Sequence, residues 1–194
     1  MNTKRQKQIR AFLAEEFGES RGGKLFDMQA ETLRALIQRQ QGKSRTQMKT
    51  LSGTILPTVA LYKALQQSGL SQADAYACAR RYVLGVVAAQ NHVSTARMER
   101  IPGFYALYSS VFLKIVRTAD LWQSEQRRDR NSFDVTIRKC LWHTTCAENG
   151  CPELCRLFCE SDNVNYGGLK KLGFTRTQTL GCGGDCCDFH FYRK

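Results

Sequence analysis

A chain of 194 residues with 42% hydrophobic and 24% charged residues buries a core of ordinary size, which excludes a disordered chain and a miniprotein held together by disulfides. The formal net charge is +12, and residues 1–50 supply half of it with 11 Lys/Arg against 5 Asp/Glu. No zinc-finger, RNP or other nucleic-acid motif accompanies this excess, so it reads as a solvated basic helix face and nucleic acid is not the expected partner.

The N-terminal segment places Ile9, Phe12, Leu13 and Phe17 at helical spacing with Glu15 and Glu16 between them. It lacks the continuous apolar region and small-residue cleavage site of a signal peptide. The longest apolar run, Tyr82 to Ala89, is far short of the roughly 18 to 20 residues that span a bilayer. A cytoplasmic protein with no membrane partner is expected. Gly22-Gly23 mark a loop, and a second helix is predicted from Phe26 to Gln40, closed by Gly42. Pro57 suits the first turn of a helix running to about Gln67, with Gly69 just past its end. Ser71 with Asp74 forms a helix-start pattern that opens a long segment through Tyr76, Cys78, Tyr82 and Val86. Pro102 opens a further helix with Phe104, Leu107, Tyr108, Val111, Phe112 and Ile115 on one apolar face.

After a charged connector, Glu125 to Asn131, the period changes. Phe133, Val135, Ile137 and Lys139 alternate with Asp134, Thr136 and Arg138, which predicts a strand. Helical spacing returns from Cys140 to Cys159, broken near Gly150 and restarted at Pro152. Two more strands are predicted, Phe174 to Leu180 and Cys186 to Tyr192, joined by the glycine-rich Gly181-Cys182-Gly183-Gly184-Asp185. The predicted fold is α+β, with a helical N-terminal two thirds (1–125). A small antiparallel sheet with packed helices follows in a cysteine-rich C-terminal third (126–194), continuous with the helices in one domain.

Nine cysteines, an odd number with eight after residue 139, do not form a secreted disulfide pattern. Reduced thiols are expected. Cys151, Cys155 and Cys159 recur every four residues, and Cys151 and Cys155 read as small apolar residues facing the sheet. A structural zinc on Cys140, Cys159, Cys187 and His143 is an alternative use of the remaining thiols. His92 and His190 read as structural or surface residues.

Four motifs occur in order: Arg138-Lys139-Cys140, Leu157 to Asp162 (LFCESD), Arg176 to Leu180 (RTQTL) and Gly184 to Phe189 (GDCCDF). The series resembles the L-2-amino-thiazoline-4-carboxylic acid hydrolase family from about Phe133 to Phe191. Upstream, Leu56-Pro57 and Leu61-Tyr62-Lys63-Ala64-Leu65 resemble the family's helical portion loosely. The resemblance implies a hydrolase that opens a small cyclic amidine or thiazoline amino-acid derivative toward an N-carbamoyl cysteine product. It implies a small-molecule substrate and no cofactor, and it leaves a homo-oligomer open.

Such a reaction needs a thiolate or base to attack the amidine carbon, an acid or carboxylate for the amidinium, and a cation for the substrate carboxylate. Cys159 and Asp162, three residues apart, share a helix face and form the first candidate pair. Cys187 and Asp188 form a second pair, but neighbours on a strand point to opposite faces. Cys187 is expected inward with Phe189 and Phe191, which sets Asp188 outward unless a bulge intervenes. Cys140 joins the substrate-binding set, Arg138 and Arg176 are candidates for the substrate carboxylate, and Thr177 and Thr179 are expected to share a face. The alternative reading of the same residues is a non-catalytic ligand- or zinc-binding module.

Overall fold

The computed structural model describes residues 3–194. The chain divides into two compact units, 1–86 and 87–194, so the two helices that precede the sheet fall with it and not with the helices before them.

In the first unit, α1 (Thr3–Phe17) and α2 (Glu19–Gln38) break at Gly18, whose φ of 77° is costly for any residue with a Cβ. The loop expected at Gly22-Gly23 is absent, and α2 runs straight through it. Gly22 is where α1 crosses, because a Cβ there would lie 2.4 Å from the Leu13 carbonyl oxygen. The glycine serves close helix packing and not a turn. Ser44 and Gln47 form a reciprocal capping box at α3 (Arg45–Thr50). The chain then stays helical through a π-type stretch, Leu51–Ile55, into α4 (Leu56–Gln67), with Pro57 in the first turn. Leu56, Val59, Ala60, Leu61, Tyr62 and Leu65 are all buried, which makes α4 the centre of this unit. Ser71 caps α5 (Gln72–Arg80) by accepting the Asp74 N–H, as the sequence predicts.

The second unit holds α6 (Ala89–Met98), α7 (Phe104–Thr118), β1 (Trp122–Arg128), β2 (Ser132–Cys140), α8 (Leu141–Glu148), α9 (Cys155–Tyr166), β3 (Leu172–Thr175) and β4 (Cys187–Arg193). The four strands form one antiparallel sheet in the order β1-β2-β4-β3. Phe133, Val135 and Ile137 of β2 and Cys187 and Phe191 of β4 supply its buried face. Phe133 stacks on Phe191 at 4.8 Å between ring centres, and Phe174 lies at the same distance from Phe191. Helix α7 adds Tyr108 and Phe112 to this aromatic layer, while Tyr166 of α9 meets Phe191 edge-on. Only part of the apolar stripe expected on α7 turns inward. Leu107, Val111 and Ile115 remain about half exposed.

Strand β1 corrects the sequence reading, which treats Glu125 to Asn131 as a connector. Its residues alternate between half-buried and exposed, and as an edge strand it needs no apolar side to pair. The strand expected from Phe174 to Leu180 ends at Thr175. The Asp188 carboxylate accepts the N–H groups of Thr177 and Gln178, holding the chain in a turn where a strand would have continued.

The β1–β2 register skips Arg138, with Gln123 opposite Lys139 and Ser124 opposite Ile137. This bulge shifts the alternation by one residue. Lys139, expected on the inner face, is therefore exposed, and Cys140 packs against the core. On the opposite face the Tyr192 ring lies over Gly173, where a Cβ would fall within 2.2 Å of it. No helix among the described residues is long and apolar enough to cross a membrane.

Candidate functional site

Residues 155, 159, 162 and 166 recur at helical spacing, so Cys155, Cys159, Asp162 and Tyr166 occupy one face of α9. Gly150, with φ of 68°, ends the preceding α8 segment, and the short 3-10 turn Pro152–Leu154 starts the chain into α9. Cys140 arrives from the end of β2 and Cys187 from the start of β4. The four thiols Cys140, Cys155, Cys159 and Cys187 are near enough for the charge of Cys159 to act on each of the others.

The Cys159 sulfur sits among hydrogen-bond donors. The Cys155 thiol is the strongest influence on it, followed among the favourable ones by the Thr179 hydroxyl, the Arg176 charge and the Gly181 N–H. Together they outweigh burial and lower the Cys159 pKa to about 6. Cys155 is driven the opposite way, because its proton is the one donated to Cys159. The pair therefore shares a single proton, held by Cys155. Thr179 is 3% exposed, and its hydroxyl makes no hydrogen bond of full geometry, to the Cys159 sulfur or to any other acceptor, yet it lies near enough to that sulfur to favour the thiolate. Gly181 permits the backbone to come this close. A Cβ there would lie 2.9 Å from the Cys159 sulfur and 3.0 Å from that of Cys155.

Arg176 links this thiol to the carboxylate one turn along α9. One terminal nitrogen donates to Asp162 at 3.0 Å and the other to the Cys159 carbonyl oxygen at 2.6 Å. The guanidinium is 11% exposed and stands against the rings of Phe174 and Phe189. Burial nevertheless pushes the Asp162 carboxyl up to about 7, ahead of the Arg176 charge that pulls it down. Protein surrounds Asp162 on most sides, yet 28% of its side chain remains open. That open part leaves the carboxyl accessible.

Cys187 accepts the Leu180 N–H at 3.4 Å, but burial dominates and raises its thiol to about 12. The Cys140 sulfur lies by the first turn of α8, where the His143 and Trp142 N–H groups favour the thiolate. Burial again prevails and raises it to about 11. Both are neutral thiols at physiological pH. Cys151 is buried, as the sequence reading has it, and so is Cys155. The part Cys155 plays at Cys159 is missed by that reading, although the four-residue spacing carries the signal.

The other candidates lie elsewhere. Arg138 pairs with Glu125 on the exposed face. Asp188 points outward and binds Thr177 through its backbone N–H and its hydroxyl, so it braces the 176–180 turn from behind. Thr177 is exposed and Thr179 buried, so the two do not share a face. Strand alternation fails because the strand has already ended. Among the described residues, no three His, Cys, Asp or Glu side chains are grouped to hold a metal ion.

Of the residues gathered around Cys159, Asp162, Arg176 and Thr179 come from the ordered motifs that the sequence carries, and a model of one hydrolase family matches the chain over residues 47–191. The chain belongs to the L-2-amino-thiazoline-4-carboxylic acid hydrolase family. The family match takes in α4, which the motifs touch only loosely, as well as all of the sheet but the last two residues of β4. No curated protein matches the chain. Solved structures that align with all of it include an H-NOX protein from S. oneidensis in the Fe(II) ligation state, at 11% identity, a TM-score of 0.36 and 96% of that chain covered. An unliganded Fe(II) H-NOX protein from K. algicida aligns at 11% identity and a TM-score of 0.34, over 97% of its length. Likenesses this slight carry neither fold nor chemistry to the hydrolase family member described here.

Proposed function

We propose that the protein hydrolyses a small cyclic amidine of the 2-amino-thiazoline-4-carboxylate type, with Cys159 as nucleophile and Asp162 as its acid–base partner. The observation that carries this reading is the pairing on one helix face of a thiol whose pKa is lowered with a carboxyl whose pKa is raised.

The Cys159 thiolate adds to the ring carbon that bonds to sulfur, nitrogen and the exocyclic amine. The ring carbon–sulfur bond breaks, and Asp162 in its acid form gives a proton to the departing sulfur. The substrate is then held to Cys159 as an isothiourea with a free cysteine-type thiol. Ionised Asp162 takes a proton from water as the water oxygen attacks the same carbon. The bond to Cys159 breaks, and the urea of an N-carbamoyl cysteine is released. One water is consumed, and both Cys159 and Asp162 return to their starting states. The Cys155 thiol, Thr179 hydroxyl and Gly181 N–H stabilise negative charge on the Cys159 sulfur each time it is the leaving or attacking group. No cofactor enters this sequence.

The test compares Cys159→Ser with Cys151→Ser, following thiol release from 2-amino-thiazoline-4-carboxylate. Losing the nucleophile is expected to cost several powers of ten in turnover. Cys151→Ser places a hydroxyl at a buried site and costs stability, on the order of 1 to 3 kcal/mol, with turnover retained in the folded fraction. Equal and modest losses in the two variants would remove Cys159 from the chemistry. A well-folded wild-type protein that releases no thiol, but binds the thiazoline or zinc, would favour a non-catalytic binding module.

A further inference from the structure

The end of the sheet away from the cysteines also carries a cavity. In the register, Ser132 stands opposite Tyr192 and Ile137 opposite Cys187, so the cysteines occupy one end of β2–β4 and the β1–β2 turn lies at the other. There a cavity of about 400 Å³ opens, lined by the first turn of α7 with Phe104 and Tyr105, and by Arg128, Arg130, Lys171, Arg193 and Lys194. None of these five cations makes an ion pair with a carboxylate among the described residues.

Solvated surface lysines and arginines would give the same charge count without a site, but two observations point to more. Arg128 is held in place, its terminal nitrogens donating to the Ser110 hydroxyl at 3.2 Å and to that of the buried Ser109 at 3.0 Å. Tyr105 is 9% exposed, and its hydroxyl has no hydrogen-bond partner. Such orphaned buried groups are uncommon and call for a partner. The positive charges acting on this hydroxyl are those of Arg128 and Arg193, two of the cations that line the cavity. Asp129 also acts on it but pairs with none of the five. The Phe104 and Leu107 N–H groups are taken by Ile101 and Gly103, and the positive end of the 15-residue α7 forms one wall.

We propose that this cavity binds a small oligophosphate, through the cations and the Tyr105 hydroxyl. A single carboxylate is satisfied by one guanidinium. Five cations, a helix N-terminus and a lone hydroxyl donor match the several oxygens and multiple charge of linked phosphates. The volume lies within the range of small-molecule sites, roughly 300 to 1,000 Å³. The site is separate from the cysteine cluster and stands whether or not the reaction assigned to Cys159 is correct.

Calorimetric titration of the full chain with inorganic pyrophosphate and tripolyphosphate tests the proposal. One equivalent should bind, and Tyr105→Phe should weaken it about tenfold, the worth of one hydrogen bond to a charged group. Tyr105→Phe removes a hydroxyl that bonds to nothing in the free protein, so its melting temperature should not fall. Arg193→Ala, which removes an exposed side chain, should weaken binding at least tenfold, whereas Arg39→Ala, just past the end of α2, should leave it unchanged. Absence of binding at millimolar pyrophosphate would overturn the proposal. Binding that weakens equally in Arg193→Ala and Arg39→Ala and not in Tyr105→Phe would mean general attraction to a basic protein and would overturn it as well. So would an RNA oligonucleotide that binds more tightly than tripolyphosphate and loses affinity in Tyr105→Phe and Arg193→Ala.

Discussion

Gly181 shows how much of the candidate active site hangs on single atoms. The residue contributes only an N–H and an empty place where a Cβ would be, yet two sulfurs close on that place. Gly181→Ala should push the 180–182 turn away, weaken the N–H contact and raise the Cys159 pKa, read as an alkaline shift in the pH profile of iodoacetamide alkylation. The paired acidities set a further expectation. Attack needs the Cys159 thiolate, which forms as pH rises through about 6, and the first leaving step needs protonated Asp162, which is lost as pH rises through about 7. A bell-shaped kcat/KM with its maximum between these values is the expected outcome. Arg176→Gln removes the charge that lowers both groups, so both limbs should move to higher pH. A profile whose limbs stay fixed in that variant would show that Arg176 does not tune the pair.

The bulge at Arg138 does at the level of an element what Gly181 does at the level of an atom. Inserting one residue between Gln123 and Ser124, opposite Arg138, should restore simple alternation, turn Cys140 outward and replace it with Lys139 at the core. The resulting loss of stability should be several kcal/mol, as for other buried unpaired charges. Arg138→Ala keeps the extra residue and should change the urea midpoint little. Sequence periodicity reads β2, β4 and the break between α8 and α9 correctly, because each has buried residues at regular spacing. It cannot place the bulge, since Ile137-Arg138-Lys139-Cys140 fits an unbroken strand equally well. Strand β1 is illegible for a different reason: an edge strand with one side in water has no apolar signature beyond Trp122. Within the site, the positions of Cys159, Asp162 and Arg176 are legible as motifs. The inward turn of Arg176 and Thr179 is not, because it depends on Asp188 capturing two N–H groups from the other side of the sheet.

For the whole molecule, the thiols set an alkaline limit. Cys140 and Cys187 keep their protons to about 11 and 12, whereas in the unfolded chain they ionise near the ordinary value of 9.0. Above pH 9 the folded state binds more protons than the unfolded one, so stability falls as pH rises. Cys159 acts in the opposite sense, since its depressed pKa adds stability as pH rises from about 6 to 9 and nothing further beyond. Urea midpoints should therefore drop between pH 9 and 10.5, and Cys187→Ala should drop less over that interval. The register also fixes how strongly the two ends of the sheet feel each other. Five residues of extended strand separate Ser132 from Ile137, about 17 Å at 3.4 Å per residue. Across that gap two unit charges interact by about 1 kcal/mol at an effective dielectric of 20, and physiological salt, with a screening length of about 8 Å, cuts this to about 0.1 kcal/mol. The sheet is thus a leaky insulator. Each positive charge neutralised at the basic end should make the distant thiol less acidic by a few tenths of a pH unit in dilute buffer, and hardly at all in strong salt.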